Sequence, residues 1–237
     1  MGMKGYLVGL VVACLLLGAA TVTSAGPVYW AQWTRTTAGA PTGVYGSITG
    51  PGFGTVDVTY TGLYSGVQLN NSGTNYWLPA TTYADGTVVD NAPSTTDIIQ
   101  LTGGSMTVHT LTFSQPVENP FMAVVSLGRS GSASTYHFDA PFNIVAGGPS
   151  VYGGGGPLSE LAGDILQGQE GNGTIQFQGT FSSIHWAIPT AEYWHGITVG
   201  IADVAGEPGP SVPAPGAIVL AMLGTGLVGW LRQRKTL

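Results

Sequence analysis

The sequence predicts an all-β fold: an antiparallel two-sheet sandwich of jelly-roll-like type, flanked by an N-terminal signal helix and a C-terminal hydrophobic helix. Three observations carry this expectation. Apolar residues in the middle of the chain recur with a period of two, as in Val56, Val58 and Tyr60 against Asp57, Thr59 and Thr61, which is the pattern of a half-buried strand. Clusters of Gly, Pro and Asn such as Gly50-Pro51-Gly52 and Gly147-Gly148-Pro149 punctuate these runs with turn chemistry. Charged residues are only 8% of the 237 while hydrophobic ones are 43%, so uncharged Ser, Thr and Asn must cover the solvent face.

Taken in order, residues 1–25 read as an export signal. Lys4 gives a positive start, Tyr6 to Leu17 an apolar core, and Ala19 to Ala25 a run dominated by small side chains. Cleavage is expected between Ala25 and Gly26, with Thr23 and Ala25 as the small residues that the cut requires. This routes the chain to the Sec export machinery. The lone cysteine, Cys14, falls inside this segment, which leaves residues 26–211 without a thiol, a disulfide or a Cys-based zinc site.

Residues 26–202 form the predicted sandwich. Candidate strands are Val28–Thr34, Val44–Thr49, Val56–Tyr60, Asp97–Leu101, Met106–Ser114, Phe121–Leu127, Thr135–Asp139, Phe142–Ala146, Thr174–Gln178, Ser183–Trp186 and Ile197–Ile201. In the last of these Ile197, Val199 and Ile201 share one face, with Thr198 and Gly200 on the other. The nearest approach to an amphipathic helix is short, Leu158–Leu166. Residues 203–211 read as a Pro/Gly linker.

Charge narrows the partners. Between residues 26 and 211 there are two basic side chains, Arg35 and Arg129, against twelve acidic ones, a formal charge of −10. Such a surface repels phosphate backbones, so no nucleic acid is expected as a partner.

The C-terminal 26 residues, 212–237, are the most distinctive part of the chain. Val212-Pro213-Ala214-Pro215 precedes an uninterrupted apolar run, Gly216 to Leu231, and a basic end with Arg232, Arg234 and Lys235. The prolines break any helix upstream, and the basic cluster should stay on the cytoplasmic side of a membrane entered by the apolar run. This three-part tail resembles the PEP-CTERM sorting segment, with Ala214 standing where that family usually has Glu. The resemblance implies an exosortase-type membrane processing enzyme as a partner. It also implies inner-membrane association before processing, then the cell surface or extracellular matrix. A plain membrane anchor is the competing reading of the same tail. A softer resemblance, in Leu111 to Pro120 and in Phe138-Asp139-Ala140-Pro141-Phe142, is to jelly-roll-like domains of bacterial surface proteins. It implies a fold and no catalytic residue.

Catalytic signatures are lacking: there is no Gly-x-Ser-x-Gly, no His-Glu-x-x-His and no phosphate loop. The expectation is therefore a non-enzymatic structural or adhesive domain. The alternative is a secreted carbohydrate-active hydrolase using Glu170 or Glu192, since glycoside hydrolysis needs carboxyl groups. Two sets of residues are candidates for binding. Tyr76 and Trp77, with Tyr193 and Trp194, lie in turn-like sequence and offer flat faces to a polysaccharide ring. Asp85, Asp90 and Asp97, with Asn91, are candidate calcium ligands, because calcium collects oxygens from acidic loops. No other cofactor is expected. The histidines His109, His137, His185 and His195 are scattered and should find ordinary hydrogen-bond partners.

Overall fold

A computed structural model describes residues 26–37 and 43–206. The signal segment 1–25, the sorting segment 212–237 and most of the predicted linker lie outside the described residues.

Sixteen strands are described. They are β1 (Tyr29–Trp30), β2 (Gln32–Thr36), β3 (Gly43–Gly50), β4 (Gly54–Thr61), β5 (Gly66–Gln68), β6 (Ile98–Leu101), β7 (Ser105–Glu118), β8 (Phe121–Leu127), β9 (Ser134–Phe138), β10 (Phe142–Gly147), β11 (Leu158–Leu161), β12 (Ile165–Gly168), β13 (Gly171–Phe177), β14 (Thr180–Ile188), β15 (His195–Ile201) and β16 (Asp203–Val204). They form two antiparallel sheets. One runs β10-β13-β8-β15-β6-β5 with β1 also on β15; the other runs β11-β12-β9-β14-β7-β4-β3-β2 with β16 also on β7.

The sheets pack face to face through the residues that the alternation marks. Val56, Val58 and Tyr60 on β4 point inward, as do Leu111 and Phe113 on β7 and Ile184 and Trp186 on β14. They meet Met122 and Val124 of β8, Ile175 and Phe177 of β13, and Ile197, Val199 and Ile201 of β15. Each such side chain withdrawn from water contributes about 1.5–3 kcal/mol, which is how a domain without disulfides holds together.

Leu158–Leu166, the nearest approach to an amphipathic helix in the sequence, is a hairpin of β11 and β12, with Leu158 opposite Gly168 and Leu161 opposite Ile165. Gly163 and Asp164 turn its corner at φ of 83° and 57°, the left-handed region that tight turns use. The sandwich also runs past residue 202, because Asp203 and Val204 pair with Glu118 and Val117.

At its centre the seven-stranded sheet is buried on both faces. Every residue of β8 and β15 is buried, because residues 69–97, between β5 and β6, fold over the sheet's outer face. Trp77, Tyr83 and Val89 from this loop pack with Phe121, Ala123 and Val125 of β8 and with Trp30. Gly196 and Gly200 on β15 leave room for neighbouring side chains on this face. A Cβ on Gly196 would sit 2.2 Å from Ile98 Cδ1, and one on Gly200 would sit 2.7 Å from Val28 Cγ1. Hydrogen bonds stitch the cover down: the Thr174 hydroxyl donates to the Tyr83 carbonyl at 2.8 Å and the Ser150 hydroxyl to the Leu78 carbonyl at 3.0 Å. The Trp33 indole N–H donates to the Thr198 hydroxyl at 3.2 Å, so the polar residue expected in solvent is a buried anchor.

Candidate functional site: an aromatic rim at one end of the sandwich

Antiparallel pairing brings several chain segments to the same end of the seven-stranded sheet. Gly196 at the start of β15 lies opposite Val125 near the end of β8, Leu127 opposite Gly171 at the start of β13, and Gly147 at the end of β10 opposite Gly173. The loops leaving these strands therefore converge. Trp194 precedes β15, Tyr152 follows β10, and Tyr76 comes from the covering loop.

The three rings form a half-exposed cluster. Tyr76 lies 4.8 Å from Tyr152 at 66° and 5.1 Å from Trp194 at 48°, between ring centroids. The backbone beneath them is tied: the Tyr83 hydroxyl donates to the Tyr76 carbonyl at 3.3 Å, and the Val151 N–H donates to the Leu78 carbonyl at 3.1 Å. Such a rim presents apolar faces with hydroxyl and indole N–H groups at their edges, the combination that a sugar ring uses.

Of the four aromatic residues singled out from sequence, Tyr76 and Trp194 come together here. Trp77 does not join them. It is 1% exposed, packs edge-on against Tyr83 at 5.3 Å, and serves the core of the cover. Tyr193 is 85% exposed and lines a neighbouring cavity of about 340 Å³ with Arg129, Thr102, Gly103 and Glu192. Tyr152 was missed; a single aromatic in the stretch Val151-Tyr152-Gly153 carries no periodic signal.

The candidate calcium ligands do not converge. Asp97 is fully buried, and its two oxygens accept the backbone N–H groups of Trp33 at 2.8 Å and Asn71 at 2.6 Å. Burial pushes its carboxyl above the usual range, against the pull of those two bonds. Asn91 pairs its amide with both backbone groups of Val28, at 2.8 and 2.9 Å. Asp85 is exposed and folds back on its own turn, accepting from the N–H groups of Thr87, Val88 and Val89. Slight desolvation opposes them, but these bonds and the Thr87 hydroxyl hold its carboxyl well below the usual range. Asp90 is exposed and shares with Asp85 a cavity of about 660 Å³ that Trp77 and Leu78 also line. Among the described residues no three His, Cys, Asp or Glu side chains gather to hold a metal ion.

Neither carboxylate of the hydrolase alternative faces a second carboxylate through its bonds. Glu170, at φ 60°, accepts from the N–H groups of Gly154 at 3.0 Å and Ser130 at 3.3 Å and from the Ser126 hydroxyl at 3.3 Å. Glu192 Oε2 lies 2.9 Å from His195 Nδ1, with both side chains almost wholly buried. Behind that pair is a polar nest inside the sandwich. Tyr136 stands 5.3 Å from His195, and His109 stacks on Trp186 at 5.4 Å and 19°. The Tyr60 hydroxyl donates to the Leu63 carbonyl at 2.6 Å and lies 2.7 Å from His109 Nδ1. With the single hydroxyl proton spent on Leu63, Nδ1 must carry its own proton and donate. Burial, with the His195 imidazole nearby, pulls His109 down to about 4. The Tyr136 hydroxyl, the Trp186 indole N–H and His195 Nε2 are buried with no hydrogen-bond partner.

His137 and His185 take the ordinary roles expected: His137 Nε2 lies 3.1 Å from the Thr135 hydroxyl, and His185 sits between the hydroxyls of Thr110 and Ser183, each at 3.0 Å. No family model, curated protein or solved structure matches the chain.

Proposed function

We propose that this chain is an exported, non-catalytic surface or matrix protein whose jelly-roll-like sandwich binds polysaccharide through the Tyr76–Tyr152–Trp194 rim. The observation that carries this reading is the convergence of three half-exposed aromatic rings from three separate loops onto one end of a rigid sheet. Support for a non-catalytic role comes from Glu170 and Glu192, whose carboxylates are spent on local structure. In this reading residues 1–25 direct export, and the segment 212–237 holds the protein in the inner membrane until an exosortase-type enzyme acts.

Trp194→Ala in the mature protein should weaken retention on polysaccharide, surveyed on a glycan array, by tenfold or more, since a Trp anchor typically supplies about 2 kcal/mol. Its unfolding temperature should move little. Undiminished binding by Trp194→Ala would remove the rim from the account.

The sorting reading has its own check. Replacing Arg232, Arg234 and Lys235 by Ser should leave the protein unprocessed or misplaced, because the basic end is what holds the tail in the cytoplasm. Intact mass of envelope and secreted protein reads this. A mature species that retains residues through Leu237 whether or not an exosortase is present would leave a plain anchor.

A further inference from the structure

The cavity beside the rim carries a charge that the rest of the domain does not. Only Arg35 and Arg129 are basic between residues 26 and 211. Arg35 places its guanidinium 3.9 Å over the Tyr45 ring on the nine-stranded sheet. Arg129 is exposed and, among the described residues, takes part in no ion pair; the single pair there is His195 with Glu192. Its backbone is nevertheless fixed. Arg129 and Ser132 exchange N–H···O bonds of 3.0 and 2.9 Å, and Gly131 closes the turn at φ 76°. The guanidinium thus stands on a rigid turn with its donors free.

Its neighbours suit a ligand. The cavity of about 340 Å³ is walled by the small residues Thr102, Gly103 and Ala191 and by Tyr193, whose ring is 85% exposed. Glu192 is the acid in this wall, and its carboxylate turns inward to His195 with the side chain only 5% exposed. Glu170 lies across the turn and is held by Ser126, Ser130 and Gly154. Tyr193, in the cavity wall, and Trp194, in the rim, are consecutive residues, their Cα atoms ~3.8 Å apart.

We propose that the Arg129–Tyr193 cavity is a subsite for a carboxylated sugar, and that the rim's ligand is an acidic polysaccharide containing uronic acid. This rests on the polysaccharide-binding reading given above. The planar guanidinium fork matches a carboxylate in a bidentate geometry, while the Tyr193 face receives the sugar ring that bears it. The acidic remainder of the domain does not prevent this. At 0.15 M salt the screening length is about 8 Å, so distant carboxylates fade while a contact at Arg129 persists.

The test compares polygalacturonate with its carboxyl-reduced, neutral counterpart on the mature protein at 0.15 M NaCl. Wild type should bind the acidic polymer about tenfold more tightly, the worth of one charge-assisted pair. Arg129→Gln should lose that preference and keep its affinity for the neutral polymer, with an unchanged unfolding temperature because the side chain is exposed. Trp194→Ala should lose both. Equal wild-type affinity for the two polymers, or a preference that survives Arg129→Gln, overturns the subsite and leaves the rim standing. Competition by an acidic peptide as strong as that by galacturonate would show a site for carboxylate alone and overturn the sugar assignment. Retention of neither polymer overturns rim and subsite together.

Discussion

Asp97→Ala should destabilise the domain by about 3–5 kcal/mol, since it removes the acceptor of two backbone N–H groups in a buried setting. One belongs to Trp33 on β2 and the other to Asn71 at the start of the covering loop. The carboxylate therefore ties the edge of one sheet to the layer over the other. Asp97→Asn keeps one acceptor and turns an N–H₂ toward the other donor, so its cost should be roughly half as large or more. Urea denaturation reads this as a lower midpoint at unchanged slope. A midpoint within error of wild type for the Ala variant would mean that the covering loop reorganises to satisfy both groups.

Acid should weaken the protein through His109. In the unfolded chain this imidazole titrates near 6.5, whereas in the sandwich burial, with the His195 imidazole nearby, lowers it to about 4. A depressed histidine favours the fold while it is neutral. Its contribution is complete above pH 6.5, falls away as the pH drops from 6.5 to 4, and stays flat below. The difference amounts to about 3 kcal/mol. Asp97 acts in the opposite sense, since its raised carboxyl is relieved as pH falls. The His109 share must therefore be read as a difference. His109→Asn retains an N–H donor for the Tyr60 hydroxyl and removes the titration. Wild type should lose about 3 kcal/mol more than His109→Asn between pH 7 and pH 4 by urea denaturation. Parallel pH profiles would show that His109 is not the source of the acid sensitivity.

Alternation made the two-layer β architecture legible, because a strand that faces a core on one side writes that face into every second residue. Val56, Val58 and Tyr60 are the clear instance. The covering loop was not legible for the same reason. Trp77, Tyr83 and Val89 follow no period, so nothing local says that they pack over Phe121, Ala123 and Val125 of β8. Tyr76 and Trp77 are adjacent and both aromatic, yet one serves the rim and the other the core. That choice is made by Tyr83 and Trp194, which are far from each other in sequence. Asp97 reads as a loop acid until Trp33 supplies it with a backbone donor. The hairpin at β11 and β12 shows the remaining difficulty: a short apolar run has no period of its own, and Gly163 at its corner is what separates a turn from a helix.

Strand β15 begins at the rim and ends where the described chain both enters and leaves, with Tyr29 paired to Ile201 and β16 following immediately. The seven residues between span ~23 Å, so under the proposed function a ligand held at Trp194 and an anchor attached beyond the described residues load opposite ends of one strand. That strand lies between β8 on one side and β6 with β1 on the other, and its ladder bonds run across the direction of pull. A load applied to the two ends of β15 runs along its covalent backbone, so the ladders on either side are not what it must break first.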